Sequence, residues 1–228
     1  MKIIDAHTHI FEQLTSFRGE GEIRAIGGGK ARWADGEIVA MIPPGLGEKE
    51  FLAETLVKLL QDNGIERAVL LQGSFYGFHN EYISETMKKY PEMFLGAGTF
   101  DPFARCAGKI YDRLTGELGF KVIKFETSTG GGLMSYHREY NLFDTFDEIA
   151  GRMEENGQVL VLDIGSPGMN SFQPEAVARL AGKHSKLNII ICHLLAPTLK
   201  DESALERGLK LLRADNIWFC LLYTSRCV

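Results

Sequence analysis

The feature that most constrains the fold of this chain is a regular alternation of short apolar runs with amphipathic segments. The apolar runs are rich in β-branched and aromatic residues, which is typical of buried strands. They are Lys2–Asp5, Arg67–Leu71, Phe94–Gly98, Phe120–Phe125, Val159–Asp163, Asn188–Cys192 and Asn216–Phe219. The segments between them place apolar residues three and four positions apart, which predicts helices at Glu48–Asp62, Asn80–Lys89, Ala104–Leu118, Leu142–Asn156, Pro174–Lys183 and Glu202–Arg213. Such alternation predicts a parallel sheet.

Loop lengths distinguish a barrel from an open sheet. Connections from a helix to the next strand are short, and three of them contain a glycine placed as a left-handed helix cap: Gly64, Gly119 and Gly157. Connections that leave the strands are long, notably Ile10–Gly47, Glu126–Asn141 and Ile164–Gln173. Elaboration on one face is typical of a (β/α)₈ TIM barrel, whose active site lies there. We therefore predict an incomplete α/β TIM barrel with about seven strands, with a doubly wound open sheet as the alternative.

The C-terminal segment Cys220–Val228 matches no helix, strand or cap that should follow the last predicted strand. Its last six codons, for Tyr223–Val228, can be written as an inverted repeat that resembles a sequencing-library adapter joined to its own reverse complement. We therefore expect a truncated barrel domain at residues 1–219, a junction tail at residues 220–228, and a chain that is itself inactive. A natural frayed tail is the alternative.

Charge and composition restrict the partners. The formal net charge is −5, from 25 basic and 30 acidic residues spread along the chain, so no basic footprint for nucleic acid or an anionic membrane is present. No apolar run reaches the roughly 18 residues of a membrane span, and no signal-peptide pattern opens the chain. The four cysteines lack C-x-x-C spacing. We expect a cytoplasmic protein with reduced thiols that acts on a small molecule.

Two histidines stand at the end of the first predicted strand, in the run Asp5-Ala6-His7-Thr8-His9. Residues two apart on a strand point to the same side, so His7 and His9 are placed to share one metal ion. The alternative is a pair of structural histidines hydrogen-bonded to backbone carbonyls.

The run Ile4–His9 resembles the opening of amidohydrolases of the type that includes aminocarboxymuconate semialdehyde decarboxylase and the dihydroxybenzoate decarboxylases. The likeness continues through Gly119–Lys124, Val161–Gly165 and Ile190–His193, and it extends to Phe219. It implies a barrel of the metal-dependent hydrolase type. One divalent metal, with zinc as the first expectation and manganese as the alternative, is bound in that family by two strand-one histidines, a strand-five histidine and a strand-eight aspartate.

By this resemblance His7 and His9 are metal ligands, and His193 is the strand-six catalytic base that takes a proton from metal-activated water. The family's strand-five histidine is Asp163 here, which can still ligate zinc or manganese through oxygen. The alternative is that Asp163 caps the following turn. The strand-eight aspartate has no counterpart in this chain.

Candidate substrate contacts come from the strand ends and long loops. Lys124 and Glu126 share a strand face at the predicted barrel rim, where we expect a charge pair near the substrate or a plain structural pair. Arg32 in the first loop and His137 in the fourth-strand loop are further candidates, since arginine suits a bidentate grip on a carboxylate. Solvated loop positions are the alternative for both.

These features lead to a functional expectation. We expect a metal-dependent hydrolase or a non-oxidative decarboxylase that acts on a small carboxylate-bearing substrate, with a homodimer expected for the full-length parent. The alternatives are a barrel that has lost catalysis and serves as a binding or scaffold protein, and an inactive fragment.

Overall fold

The computed structural model describes residues 2–221, and the chain divides after Lys121 into two units. In chain order the first unit contains β1 (Ile4–Thr8), β2 (Thr15–Arg18), β3 (Gly21–Gly27), β4 (Lys30–Trp33), β5 (Ile38–Ala40), α1 (Ala53–Asp62), β6 (Arg67–Leu70), α2 (Asn80–Lys89), β7 (Phe94–Gly98) and α3 (Ala107–Asp112). A π-helical turn, Arg113–Glu117, continues α3. Strands β1, β6 and β7 are parallel, with β6 in the middle.

The second unit continues the same alternation. It contains β8 (Val122–Glu126), α4 (Leu142–Glu155), β9 (Val159–Asp163), α5 (Pro174–Lys183), β10 (Asn188–Ile191), α6 (Glu202–Leu211) and β11 (Ile217–Phe219). Its four strands pair in parallel in chain order, so β9 and β10 are the inner strands. The predicted strands and helices are confirmed, with shifts of a few residues at some ends.

The cap residues explain where several helices begin and end. The side chain of Asn141 accepts the backbone N–H of Asp144 and begins α4, and Pro174 occupies the first turn of α5. The predicted capping glycines adopt left-handed backbone: Gly64 at φ +67°, Gly119 at φ +78° and Gly157 at φ +61°.

The core of the second unit is built from the apolar faces of its parallel strands and from α4. Phe125 of β8 and Phe146 of α4 are fully buried, and their ring centroids lie 4.6 Å apart. Leu162 and Ile191 are likewise fully buried on the inner strands. Each such side chain contributes about 1.5–3 kcal/mol through removal of apolar surface from water.

The segment Ile10–Gly47, which we expected to be a long loop, contains a four-stranded antiparallel sheet in the order β2-β3-β4-β5. One face of this sheet packs on a small apolar cluster: Phe11, Leu14, Ile23, Ala31 and Ile42. The period-two pattern of these strands was not recognised, because polar residues separate the apolar ones and the strands have only three to seven residues.

The same sheet explains why α1 begins at Ala53 rather than at Glu48. The carbonyls of Glu48 and Lys49 accept backbone N–H groups from Gly29 and Leu14, and Phe51 pairs with Phe11 in both directions. A segment hydrogen-bonded across to other chain segments cannot make helical hydrogen bonds as well.

Two sequence expectations concern the thiols and the C-terminus. Cys106 is an exposed free thiol and Cys192 is a buried one, and Cys220 is buried as well. Cys220 donates its backbone N–H to Ile191 and accepts the N–H of Leu194. Of the expected junction tail, only residues 220 and 221 are among the described residues. Between residues 2 and 221, no helix is long and apolar enough to cross a membrane.

A buried polar network ties together the chain segments that follow β6 and β7. The amide oxygen of Asn80 accepts from Gln72 Nε2 at 2.9 Å and from the backbone N–H of Thr99 at 3.0 Å, and its Nδ2 donates to the Thr99 carbonyl at 2.9 Å. Gln72 also donates to the Ala97 carbonyl at 2.8 Å. These bonds satisfy polar groups that burial would otherwise leave unpaired.

We therefore predict that Asn80→Ala lowers the free energy of unfolding by about 2–3 kcal/mol, because it leaves buried donors and acceptors unpaired. The measurement is equilibrium urea denaturation. The matched control is Asn63→Ala, since the Asn63 amide bonds the Leu59 carbonyl at an exposed helix end, and it should cost no more than about 0.5 kcal/mol. Equal losses for the two variants would contradict a special role of the network.

Candidate active site

The two histidines of the first motif lie side by side at the end of β1. The ring centroids of His7 and His9 are 5.0 Å apart, and the rings meet edge to face at 71°. His7 is buried, and its backbone N–H donates to the carboxylate of Asp5 at 3.0 Å. The proximity expected from their spacing is confirmed; the role of His7 and His9 as metal ligands stays a prediction.

The tautomer of His9 follows from one hydrogen bond. Its Nδ1 lies 2.9 Å from the carbonyl oxygen of Leu71. A carbonyl only accepts hydrogen bonds, so Nδ1 bears the proton, and in the neutral ring Nε2 keeps the lone pair. This is the arrangement in which a backbone carbonyl orients a metal-binding imidazole.

Tyr76, which sequence reasoning missed, covers the ring of His9. The two ring centroids are 4.8 Å apart at 38°, and Tyr76 also stacks on buried Phe11 at 5.3 Å and 11°. The next residue, Gly77, has φ +95°, and a Cβ atom there would collide with the Thr15 carbonyl oxygen. The aromatic run after β6 was the available signal, but only the fold shows which ring it contacts.

Arg18 is the most enclosed arginine of the first loop, whereas the predicted substrate contact from this loop was Arg32. The Arg18 guanidinium lies 4.5 Å above the ring centroid of Trp33 and 5.0 Å from that of Phe75, and its Nε is 2.9 Å from Glu20 Oε2. Its side chain is 17% exposed. Arg32 is exposed on β4, so the contact proposed for it would require a substrate that reaches this sheet.

In the second unit, Asp163 and His193 form an ion-pair contact with 3.3 Å between Oδ2 and Nε2. The other oxygen, Oδ1, accepts the backbone N–H of Gly165 at 3.0 Å, so Asp163 does cap the turn that follows β9. Glu126 lies directly opposite Asp163 in the parallel register of β8 and β9. Lys124 is only 3% exposed and lies two residues earlier on β8.

The electrostatics of this cluster favour an ionised carboxylate. Burial raises the pKa of the Asp163 carboxyl, but the hydrogen bond with His193, the charges of Lys124 and His193, and the N–H of Gly165 together outweigh it. The pKa of Asp163 therefore lies below its ordinary value. Burial also raises the pKa of the neighbouring Cys192 thiol to about 12, which makes this thiol a poor nucleophile at neutral pH.

His193 lies outside β10, so strand parity with Ile189 and Ile191 does not set the direction of its ring. Strand β10 ends at Ile191, and His193 to Ala196 form a turn with φ values of 58°, 49°, 67° and 44°. None of the four is glycine, and the left-handed region costs L-residues roughly 1–2 kcal/mol each. Complete burial of Leu195 within the turn offsets part of this cost.

The remaining candidate, His137, follows a short 3₁₀ turn at Leu133–Ser135. Its backbone N–H donates to the Leu133 carbonyl at 2.9 Å, and its ring lies 4.8 Å from that of Tyr136. The ring is half-buried. A loop position that is neither enclosed nor fully solvated is compatible with a substrate contact.

The donor chemistry of the first unit fits a transition metal, because imidazole is a preferred ligand of zinc and His7 and His9 lie side by side. Within residues 2–221, no group of three or more histidine, cysteine, aspartate and glutamate side chains is arranged to hold a metal ion. The structure thus brings two imidazoles together, and a metal with its ligands remains a matter for proposal.

Comparisons with known proteins identify the fold. The amidohydrolase family model matches residues 4–226. The structure is similar to a probable 2-pyrone-4,6-dicarboxylic acid hydrolase from Acinetobacter baumannii, at 15% identity and a TM-score of 0.61, over 96% of this chain and 69% of that one. No curated protein gives a significant match.

Two further structures resemble the chain. An amidohydrolase from Burkholderia multivorans with bound zinc shares 12% identity at a TM-score of 0.63, over 96% of this chain and 69% of that one. An uncharacterised TIM-barrel protein from Bordetella bronchiseptica shares 17% identity at a TM-score of 0.56, over 73% of this chain and 58% of that one. The predicted fold class, an incomplete (β/α)₈ barrel, is confirmed. Because the family model spans every strand and helix from β1 to β11, the chain belongs to the amidohydrolase family.

Proposed function

We propose that this chain contains the metal-binding and catalytic residues of a metal-dependent hydrolase or non-oxidative decarboxylase that acts on a small carboxylate-bearing substrate. The observation that supports it most is the pair of His7 and His9, with the tautomer of His9 fixed by the Leu71 carbonyl. The zinc bound in the structurally similar Burkholderia multivorans amidohydrolase supports a metal in this chain. The proposed cofactor is one divalent metal, zinc in the first instance and manganese as the alternative.

The proposed ligands are His7, His9 and Asp163. A carboxylate offers about four lone-pair positions, so the contacts of Asp163 with Gly165 and His193 leave positions for a metal. The lowered pKa of Asp163 keeps the ligand ionised at neutral pH. When bound, such a metal would polarise a carbonyl or carboxylate group of the substrate and acidify water.

His193 is the proposed proton carrier. Its Nε2 lies 3.3 Å from Oδ2 of Asp163, so the carboxylate orients the imidazole ring. In hydrolysis His193 would take a proton from the attacking water and return it to the leaving group; in decarboxylation it would help protonate the carbon that loses CO₂. The same residue therefore serves either reaction.

The substrate contacts remain proposals at Lys124, Glu126, Arg32 and His137. Lys124 has the strongest support, because it is buried on β8 and its charge acts on Asp163, so a substrate carboxylate that reaches Asp163 would also meet a cation. We further propose a cytoplasmic protein without nucleic-acid or membrane partners, and a homodimer for the full-length parent.

The first prediction concerns metal content, measured by elemental analysis of the full-length parent. His7→Ala or His9→Ala should remove bound metal and activity together, whereas His193→Ala should retain the metal and lose most turnover, because a ligand and a base fail differently. His184→Gln is the control, since His184, at the end of α5, pairs with Asp147 of α4.

If His193→Ala also empties the site, His193 is a ligand and the base must be sought elsewhere, with His137 next. A metal-free wild type would favour a binding or scaffold protein.

The reaction class is decided by isotope labelling. The full-length protein is incubated with a panel of small carboxylates, including lactones and aromatic acids, in H₂¹⁸O. Hydrolysis places ¹⁸O in the product, whereas decarboxylation releases CO₂ and leaves no ¹⁸O in the organic product. A metal-loaded protein without turnover on any member of the panel would contradict the proposed substrate class.

The contact between Tyr76 and His9 generates another prediction. Tyr76→Ala should weaken metal affinity about tenfold, because the imidazole loses the ring that restrains it, while Tyr76→Phe should keep wild-type affinity. The measurement is competitive titration with a chromophoric zinc chelator. Equal affinity in all three proteins would show that the Leu71 carbonyl alone orients His9.

A further inference from the structure

We propose that Gly208, within α6, is a positioning residue for His193. Because Gly208 has no side chain, the side chain of Leu195 can pack against the helix. This packing stabilises the left-handed turn that brings His193 to Asp163. The catalytic consequence rests on the proposed function, but the positioning itself does not.

Helix α6 contacts the turn that contains Leu195 through Gly208. Gly208 is the buried residue of α6, whose other residues are exposed or partly exposed. A Cβ atom at Gly208 would lie 2.8 Å from Leu195 Cδ1 and 3.6 Å from Phe172 Cζ. Because 2.8 Å is well inside van der Waals contact, an alanine would force the end of the Leu195 side chain to move, and the complete burial of Leu195 restricts where it can go.

Helix propensity does not explain a glycine at position 208. Glycine in a helix interior is less stable than alanine, so packing or function must account for Gly208. Gly182 in α5 provides the contrast, because nothing lies within 4 Å of the Cβ atom that a substitution would add there. Close approach to Leu195 is the reason that the structure offers at Gly208.

Leu195 and His193 belong to the same left-handed turn. Two residues separate the end of β10 from Leu194, whose N–H donates to the Cys220 carbonyl at 3.0 Å, and the N–H of Ala196 donates to the His193 carbonyl at 2.8 Å. Leu195 is fully buried and has φ 67°. A buried leucine in an unfavourable backbone region stays there only if its side chain is firmly seated.

His193 shares this turn, with φ 58°, so its ring direction depends on the same backbone. If Leu195 is displaced, the turn can relax toward ordinary φ values, and the 3.3 Å contact between His193 Nε2 and Asp163 Oδ2 is lost. Gly208 therefore acts on His193 through Leu195 and does not itself contact the ring.

The test compares Gly208→Ala with Gly182→Ala by NMR of protein labelled with ¹⁵N in the histidine rings, at one fixed pH. The His193 signals are assigned with His193→Asn. In Gly208→Ala they should move toward their position in Asp163→Asn, in which the pairing is absent, while the other histidine signals stay in place. In Gly182→Ala all histidine signals should match the wild type.

Leu195→Ala and the double variant Leu195→Ala with Gly208→Ala test the route. Leu195→Ala should displace the His193 signals as Gly208→Ala does, and the double variant should be no worse than Leu195→Ala, because the clash is gone. Effects that add in the double variant, or unchanged His193 signals in a folded Gly208→Ala protein, would overturn the inference.

Activity provides a separate readout in the full-length protein. With metal content unchanged, Gly208→Ala should lower kcat about 10- to 100-fold and leave KM within a small factor, since a misplaced base slows turnover without removing substrate contacts. A wild type without turnover would count against the proposed function, whereas the NMR comparison would still decide the positioning role. An unchanged kcat in an active protein would contradict the catalytic consequence.

Discussion

Parallel pairing of β1 with β6 is the interaction on which the candidate metal site depends. Thr8 lies opposite Leu70, its side chain donates to the Val69 carbonyl at 2.9 Å, and its carbonyl accepts the N–H of Leu71 at 2.8 Å. This register places the Leu71 carbonyl 2.9 Å from Nδ1 of His9. The strand pair that builds the fold thus also fixes which nitrogen of His9 bears the proton in the neutral ring. A shift of register by one residue would remove that carbonyl.

The second unit uses the same principle with different groups. The carbonyl of Asp163 accepts both the N–H and the hydroxyl of Thr127, which anchors the end of β9 to the chain after β8. Its carboxylate is held by Gly165 and His193. In each unit the main chain is fixed by ladder or turn hydrogen bonds, and the reactive atoms lie at the strand ends. Such anchoring lowers the entropic cost of holding a catalytic geometry.

The parts of the fold set by local periodicity could be predicted from the sequence. Strands β7 and β9 and helices α2 and α5 were predicted with correct bounds, and Asp163 was recognised as a candidate. The antiparallel sheet of β2 to β5, the cover of Tyr76 over His9 and the left-handed turn at His193 were not, because they depend on contacts between distant segments. Strand parity could not place His193, since the strand ends two residues earlier. Even the role of Asp163 is not decided by parity, because the carboxylate caps a turn and faces His193 at once.

In the proposed metal site, His7 and His9 bind one metal ion and oxygen ligands complete the coordination. X-ray absorption at the zinc edge, on protein loaded with one equivalent of zinc, reads these ligands out. We expect multiple scattering from two imidazole rings, with nitrogen and oxygen ligands at about 2.0–2.2 Å and no sulfur. Sulfur ligands at about 2.3 Å, or spectra without imidazole scattering, would contradict it.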